Sequence, residues 1–273
     1  MPAEIQIETV KTGAFTMEYF RFGRGRKPLV ILPGLSVQSV MDASCAVADA
    51  YRPLAEDFTI YVFDRRKELP ASYPVEEMAR DTAAALCALG LARVCLFGAS
   101  QGGMLAMKIA AGQPALVERL ALGSTAARVT EDRCRAIDTW IRLAKEGNAQ
   151  ALYLAFGEAL YPPALFAASR ALLCDAARGV TEVDLRRFVI LAEGTRDFDA
   201  LGDLGRIECP VLVIGAEDDR VLGADASREI AAQLRCRPDC ALYLYESGGH
   251  AVYDTAPDYK ERLRRFFAPE AAL

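Results

Sequence analysis

The sequence predicts an α/β fold in which a mostly parallel sheet is interrupted by a helical insertion. Short apolar runs of strand length alternate with helical patterns up to about residue 125, and the alternation resumes after about residue 205. Residues 126–204 carry helical patterns alone. Because parallel neighbouring strands require a crossover connection, this alternation is typical of a parallel sheet. We therefore expect a core formed by residues 1–125 and 205–273, with residues 126–204 inserted into it.

The predicted strands are short runs rich in β-branched and aromatic residues. They lie at Ile5–Val10, Glu18–Phe22, Leu29–Leu32, Thr59–Phe63, Arg93–Phe97, Leu116–Leu122, Val211–Ile214 and Ala241–Tyr245. Helices of the core are predicted at Asp42–Ala55, Val75–Leu89, Met104–Ala111, Ala224–Leu234 and Pro257–Phe267. Inside the insertion, Thr181–Asp184 has the spacing of a capping box at a helix start, and Gly194 ends that helix.

The composition is that of a globular chain with a sizeable core. Of its 273 residues, 52% are hydrophobic and 25% are charged, which excludes intrinsic disorder. The net charge of −5 argues against nucleic-acid binding, and the arginine-rich stretches Arg21–Lys27 and Arg262–Arg265 are interpreted as solvated faces. No run approaches the ~18 apolar residues of a membrane span, and the first residues do not resemble a secretory signal. We expect a cytoplasmic protein without a membrane span.

The cysteines and the single histidine argue against a metal centre. Eight cysteines are scattered singly along the chain: Cys45, Cys87, Cys95, Cys134, Cys174, Cys209, Cys236 and Cys240. A zinc site would need paired cysteine spacings together with more than one histidine, and a disulfide scaffold would be shorter and denser in cysteine. We expect reduced thiols, no metal and no cofactor.

A serine stands at a position typical of a nucleophile. Residues 98–102 read Gly-Ala-Ser-Gln-Gly and fit the pattern G-x-S-x-G between a predicted strand and a predicted helix. There the serine occupies a sharp strand-to-helix turn, and the small flanking residues let the backbone fold tightly and expose the hydroxyl. A chance match is conceivable in a chain with 20 glycines, but the strand–helix context disfavours it. Ser100 is the candidate nucleophile.

A serine hydroxyl needs a base, and His250 is the one histidine of the sequence. It follows Ser247-Gly248-Gly249 directly after a predicted strand, so a flexible loop can turn the imidazole toward the carboxyl edge of the sheet. The third group should orient the imidazole. Asp219 and Asp218 both lie at the end of another predicted strand, and we select Asp219, with Asp218 in reserve, because apolar residues after it should hold its carboxylate inward.

The order serine, aspartate, histidine is the one found in the α/β-hydrolase fold. The chain resembles that superfamily over nearly its whole length, through the segments LVILPGLS, FGASQGGMLA, CPVLVIGAEDDRVLG and GGHAVYD. The resemblance implies a mostly parallel eight-stranded sheet flanked by helices, a helical cap inserted after the sixth strand (residues 126–204) and hydrolysis without a cofactor.

The resemblance also implies an oxyanion hole built from two backbone N–H groups. One belongs to the residue after the nucleophile, Gln101, and the other to the loop after the third strand, where Leu35 is the candidate. Relatives often carry a histidine before the glycine of this loop, whereas this chain has Pro33. Ser36 either contributes a hydroxyl contact or caps the following turn.

By analogy with the fold, we expect hydrolysis of a small to medium carboxylic ester through an acyl-enzyme, by a monomer or a homodimer. A carbon–carbon bond hydrolase, a thioesterase and an acyltransferase remain alternatives, and so does a non-catalytic receptor that keeps the triad. The large aromatic residues of the cap are Trp140, Tyr153, Phe156, Tyr161 and Phe166. Those that face the cleft would favour an apolar or aromatic acyl group, although an aromatic residue at helical spacing more often belongs to a core.

Overall fold

The computed structural model describes residues 5–235 and 237–269 and contains one eight-stranded sheet. Its strands are β1 Ile7–Lys11, β2 Thr16–Phe22, β3 Lys27–Leu32, β4 Phe58–Arg66, β5 Val94–Ala99, β6 Val117–Gly123, β7 Val211–Ala216 and β8 Cys240–Tyr245. Their order in the sheet is β1-β2-β4-β3-β5-β6-β7-β8. The pairs β1–β2 and β2–β4 are antiparallel and the remaining pairs are parallel. This architecture confirms the predicted α/β fold.

Ten α-helices connect or flank these strands in the described residues. They are α1 Ser44–Ala50, α2 Val75–Ala88, α3 Gln101–Gly112, α4 Glu131–Lys145, α5 Ala149–Leu160, α6 Pro163–Ala177, α7 Glu182–Glu193, α8 Ala224–Leu234, α9 Val252–Thr255 and α10 Tyr259–Phe267. None of the helices in residues 5–235 and 237–269 has the length and apolarity needed to cross a membrane. Helices α4–α7 follow β6 and precede β7, within the segment that the sequence assigns to a cap. The cap assignment itself stays a prediction.

Alternate residues of the central strands supply two apolar cores, one on each face of the sheet. Val30 and Leu32 pack into the larger core together with residues of α2, α3 and the inserted helices, whereas Leu29 and Ile31 pack into the smaller one with α10. Every residue of β5 and β7 is buried. Such continuous burial is typical of parallel strands covered on both faces. It leaves the carboxyl ends of these strands as the edge where polar side chains can meet.

Two predicted helices differ from the structure. The helix expected at 42–55 is broken into a 3₁₀ turn at Val40–Ala43, the short α1 and a second 3₁₀ turn at Arg52–Leu54. Pro53 explains the second break, because proline disfavours the α conformation of the preceding residue. Helix α3 starts at Gln101 instead of Met104, so it begins directly after the candidate nucleophile. The capping box of Thr181 with Asp184 at the start of α7 is present as predicted.

Candidate active site

Ser100 lies in a strained turn between β5 and α3. Its φ is +52° and its ψ is −121°, a backbone conformation that residues other than glycine rarely adopt. The neighbouring chain segments pack too closely for larger residues. A Cβ atom on Gly98 would lie 2.3 Å from the carbonyl oxygen of Gly102, and one on Gly102 would lie 2.0 Å from that of Leu32. The two glycines of the motif are therefore needed for the tight crossing of β3, β5 and α3.

The structure brings Ser100, His250 and Asp219 into one hydrogen-bonded chain. The Oγ atom of Ser100 lies 2.9 Å from Nε2 of His250. The Nδ1 atom of the same imidazole lies 3.0 and 2.9 Å from the two carboxylate oxygens of Asp219. Both the His250 and the Asp219 side chains are only 3% exposed. An imidazole held at its two nitrogens in this way can accept a proton from the serine while the carboxylate stabilises the resulting charge.

The surroundings of Asp219 keep its carboxyl group ionised. Burial alone raises the pKa of this carboxyl, but the adjacent His250 and hydrogen bonds from the Val221 and Leu222 backbone N–H groups outweigh it and bring the pKa below its ordinary value. Both donors belong to the apolar segment that was expected to hold the carboxylate inward. Asp218 points elsewhere and accepts the backbone N–H of Gly249 at 2.8 Å. It supports the histidine loop and does not contact His250.

The loop before His250 depends on its two glycines. Gly248 and Gly249 have φ values of +147° and +69°, which L side chains rarely adopt. A Cβ atom on Gly249 would also lie 2.5 Å from the carbonyl oxygen of Leu160 at the end of α5. The N–H of Ala251, the residue after His250, donates to the same carbonyl at 3.1 Å. The histidine loop is thus packed directly against the inserted helices.

The two backbone groups assigned to the oxyanion hole belong to segments that adjoin Ser100. Gln101 follows it, and the loop after β3 approaches so closely that a Cβ atom on Gly34 would lie 3.0 Å from Cβ of Ser100. Within the described residues, neither the Leu35 nor the Gln101 backbone N–H donates a hydrogen bond to another group. Both are therefore free to bind an oxygen atom. The Ser36 hydroxyl donates to the carbonyl of Gln38 at 2.7 Å, which supports its turn-capping interpretation.

A cavity of about 550 Å³ opens beside this site. It lies between the loop after β3 and helix α5, and its walls include Gly34, Leu35 and Ala99 from the core. Three of the five cap aromatic residues face it, namely Tyr153, Phe156 and Tyr161. Trp140 instead packs against Phe156, with ring centroids 4.5 Å apart, and is buried. The volume lies within the range of small-molecule pockets.

Sequence analysis missed a buried polar cluster next to the site. Arg65, at the end of β4, donates to the carbonyl of Pro33 and to the side chain of Gln101, both at 2.9 Å. A signal was present, because the charged run Asp64-Arg65-Arg66 follows an apolar strand just as the acidic run at 217–219 does. In residues 5–235 and 237–269, no group of three or more histidine, cysteine, aspartate or glutamate side chains is arranged to hold a metal ion.

Comparison with known proteins places the chain in a large family. The pattern of the alpha/beta hydrolase family matches residues 29–259. A protein of Agrobacterium fabrum named as the carbamate hydrolase RutD is 31% identical over 229 residues, which cover 79% of this chain and 85% of that protein. RutD proteins of Pseudomonas savastanoi and of other bacteria match at similar levels, the first at 29% identity over 222 residues.

Solved structures share the fold at low sequence identity. The alpha/beta hydrolase MGS-M2 from a deep-sea metagenome library superposes with a TM-score of 0.84 at 20% identity, covering 96% of this chain and 97% of that one. The enol-lactonase of Burkholderia xenovorans gives a TM-score of 0.81 at 18% identity, covering 96% of this chain and all of that one. The family match and the curated relatives lead to one conclusion: the chain belongs to the alpha/beta hydrolase family and is a hydrolase.

Proposed function

We propose that this hydrolase cleaves carboxylic esters of small to medium size through an acyl-enzyme on Ser100. The observation that carries the proposal is the unbroken chain of contacts from Ser100 Oγ through His250 to Asp219, at 2.9 Å on each side of the imidazole. The Gln101 N–H, next in the chain, and the Leu35 N–H, on the adjoining loop, donate to no other group among the described residues. A nucleophile, a base, an orienting acid and oxyanion donors are the parts that acyl transfer requires.

In the proposed mechanism, His250 Nε2 takes the proton of Ser100 as Oγ bonds to the ester carbonyl carbon. The carbonyl electron pair moves to its oxygen, which the Leu35 and Gln101 N–H groups bind. Collapse of this tetrahedral species breaks the bond to the alkoxide, which leaves with the proton from His250. Water then repeats the sequence on the acyl-enzyme, releasing the acid and restoring Ser100. Asp219 stabilises the imidazolium in both halves.

The cavity supports an acyl or alcohol group that is apolar and uncharged. Phe156 and Leu160 from the inserted helices and Leu35 from the core supply apolar walls, so we propose that residues 126–204 act as the cap that selects the substrate. Asp42 and Asp254 also line the cavity. The Asp42 carboxylate disfavours a substrate that carries its own negative charge there, whereas burial raises the pKa of the Asp254 carboxyl and Lys260 lies 3.8 Å from it. We therefore expect a neutral ester to be preferred over its carboxylate-bearing analogue.

Carbamate hydrolysis is the second candidate, and the names of the curated relatives favour it. The same relay would attack a carbamoyl carbon, so the catalytic groups do not separate the two reactions. The cavity favours an ester over a free carbamate ion only, because that ion would fill little of a space of about 550 Å³. A substituted carbamate of ester size would fit as well as an ester. Thioester cleavage, carbon–carbon bond cleavage and ligand binding without turnover are outcomes that the test below distinguishes.

The test is a panel of p-nitrophenyl esters of graded acyl size, with a thioester, an aryl carbamate and a β-diketone as comparators. We expect multiple turnovers of a neutral medium-sized ester and at least a thousandfold loss in Ser100→Ala and His250→Ala. A fluorophosphonate probe should label the protein once, and peptide mapping should place the adduct on Ser100. A single stoichiometric turnover would indicate a receptor. Labelling of Ser36 or Ser124, or full activity of Ser100→Ala, would contradict the proposal.

A further inference from the structure

A buried network connects three chain segments behind the proposed oxyanion hole. Arg65 Nη2 donates to the Pro33 carbonyl, two residues before Leu35, and to the Gln101 side-chain oxygen. The Gln101 side-chain nitrogen donates to the Leu191 carbonyl at 2.7 Å and to the Thr195 hydroxyl at 2.8 Å, at the end of α7. The Arg65 guanidinium thus binds the loop that carries the Leu35 N–H and also binds Gln101, whose backbone N–H is the second proposed oxyanion donor.

The orientation of the Gln101 amide follows from its partners. A guanidinium can only donate and a backbone carbonyl can only accept, so the amide oxygen must face Arg65 and the amide nitrogen must face Leu191. The residue is 2% exposed, which leaves its side chain no solvent to bind instead. The network therefore has a single arrangement, and it fixes the backbone of Gln101 relative to both Arg65 and the cap helix.

The charge of Arg65 lacks a direct counter-ion. Its side chain is buried, its Nε atom has no hydrogen-bond partner, and no carboxylate among the described residues forms an ion pair with it. The neighbouring Asp64 binds Arg187, Ser39 and the backbone N–H of Arg65, and its charge partly offsets the effect of burial on the pKa of Arg65. Burial lowers the pKa of the Arg65 guanidinium to about 10, so the group remains protonated at neutral pH. A buried charge without a direct ion pair destabilises a fold, and this one contacts the loop and the residue that carry the two proposed oxyanion donors.

We propose that Arg65 is a positioning residue of the oxyanion hole: through Pro33 and Gln101 it fixes the spacing of the two donor N–H groups, and its charge favours the oxyanion. The inference rests on the proposed function, since it needs an oxyanion at this place. Negative charge on the substrate oxygen is greatest in the transition state. Loss of Arg65 should consequently lower kcat and leave KM nearly unchanged.

The experiment compares Arg65→Met, Arg65→Lys and Arg66→Met with the wild type, using the best ester of the panel. Arg66→Met is the matched control, because Arg66 follows in the same strand but pairs with Asp81 at 3.2 Å, outside the network. We expect Arg65→Met to lower kcat about ten- to a hundredfold with KM within about twofold, a smaller loss than removal of a direct oxyanion donor. Arg65→Lys should recover part of kcat, and Arg66→Met should keep it.

A trifluoromethyl ketone analogue of the ester supplies a readout that a purely structural role would not change. Its adduct with Ser100 carries an oxyanion, so its inhibition constant should rise in Arg65→Met by the same factor by which kcat/KM falls. Circular dichroism and thermal unfolding establish that each variant is folded at the assay temperature. If Arg65→Met does not fold, Gln101→Met removes the same link while keeping its backbone N–H, and should show the same paired changes.

Unchanged kcat with an unchanged inhibition constant in Arg65→Met would overturn the inference, as would a rise in KM alone. Equal losses of kcat in Arg66→Met and Arg65→Met would also overturn the inference, because they would indicate a general effect on strand β4. These results are distinct from failure of the proposed function. Wild-type turnover that depends on Ser100 but not on Arg65 refutes this inference alone, whereas turnover that survives Ser100→Ala refutes the proposed function.

Discussion

Asp219→Asn replaces one oxygen of the proposed relay by nitrogen and preserves the shape of the side chain. The Val221 and Leu222 N–H groups both donate to Oδ1 of Asp219, at 2.8 and 3.1 Å. Because an amide nitrogen cannot accept these bonds, the asparagine oxygen must stay there, 3.0 Å from Nδ1 of His250, and its NH₂ group replaces the nearer oxygen at 2.9 Å. This NH₂ group favours the tautomer in which Nδ1 accepts and the ring proton lies on Nε2. In this tautomer the imidazole donates to Ser100 and cannot take its proton.

The expected loss is about 10⁴-fold in kcat, the size seen when the aspartate of a serine-protease triad becomes asparagine. At about 1.36 kcal/mol per tenfold change, it corresponds to roughly 5.5 kcal/mol of transition-state stabilisation. Asp218→Asn is the matched control. The one contact of Asp218 in this region is acceptance of the Gly249 N–H at 2.8 Å, which an asparagine oxygen can replace, so we expect a change of less than about threefold.

The assay is release of p-nitrophenolate by both variants under saturating ester, with thermal unfolding measured alongside. Retention of more than a tenth of wild-type kcat by Asp219→Asn would refute the tautomer argument. A severe loss in Asp218→Asn with a mild one in Asp219→Asn would leave the relay intact and show that the wrong acid was chosen. Loss of folding in Asp219→Asn would be seen as a lowered unfolding midpoint. Full activity of both variants would show that His250 needs neither aspartate as its partner.

Three further predictions concern pH, stability and thiol reactivity. The acidic limb of log kcat/KM, along which activity rises with pH, should have a slope of at most one, because the lowered pKa of Asp219 keeps that carboxyl ionised and removes it as a second titrating group; a slope near two would contradict this. Tyr259→Phe should raise the thermal unfolding midpoint, since the buried hydroxyl has no partner among the described residues and its removal relieves about 1–3 kcal/mol of desolvation; a lower midpoint would disprove it. A maleimide should modify the exposed Cys45 but spare Cys95, whose pKa burial raises to about 12, and peptide mapping of the native protein checks both sites.

The sequence determined the fold and the choice of candidate catalytic side chains, because both depend on local patterns. Strand and helix periodicities predicted the sheet and the helical insertion before β7. The turn around Ser100 could be recognised because close packing excludes side chains at Gly98 and Gly102, a constraint that a short motif records. A single histidine in the chain left His250 as the sole candidate base.

The tertiary structure decided the features that depend on the direction in which each side chain points. Asp218 and Asp219 are equivalent in sequence, but the turn after β7 points one toward the histidine loop and the other toward His250. Helical spacing cannot tell a pocket wall from a core, and only packing shows that Tyr153 faces the cavity while Trp140 is buried. The contacts of Arg65 could likewise be recognised only in the tertiary structure. Its partners lie 32 and 36 residues away in the chain, and such contacts arise from the assembled sheet and leave no local pattern.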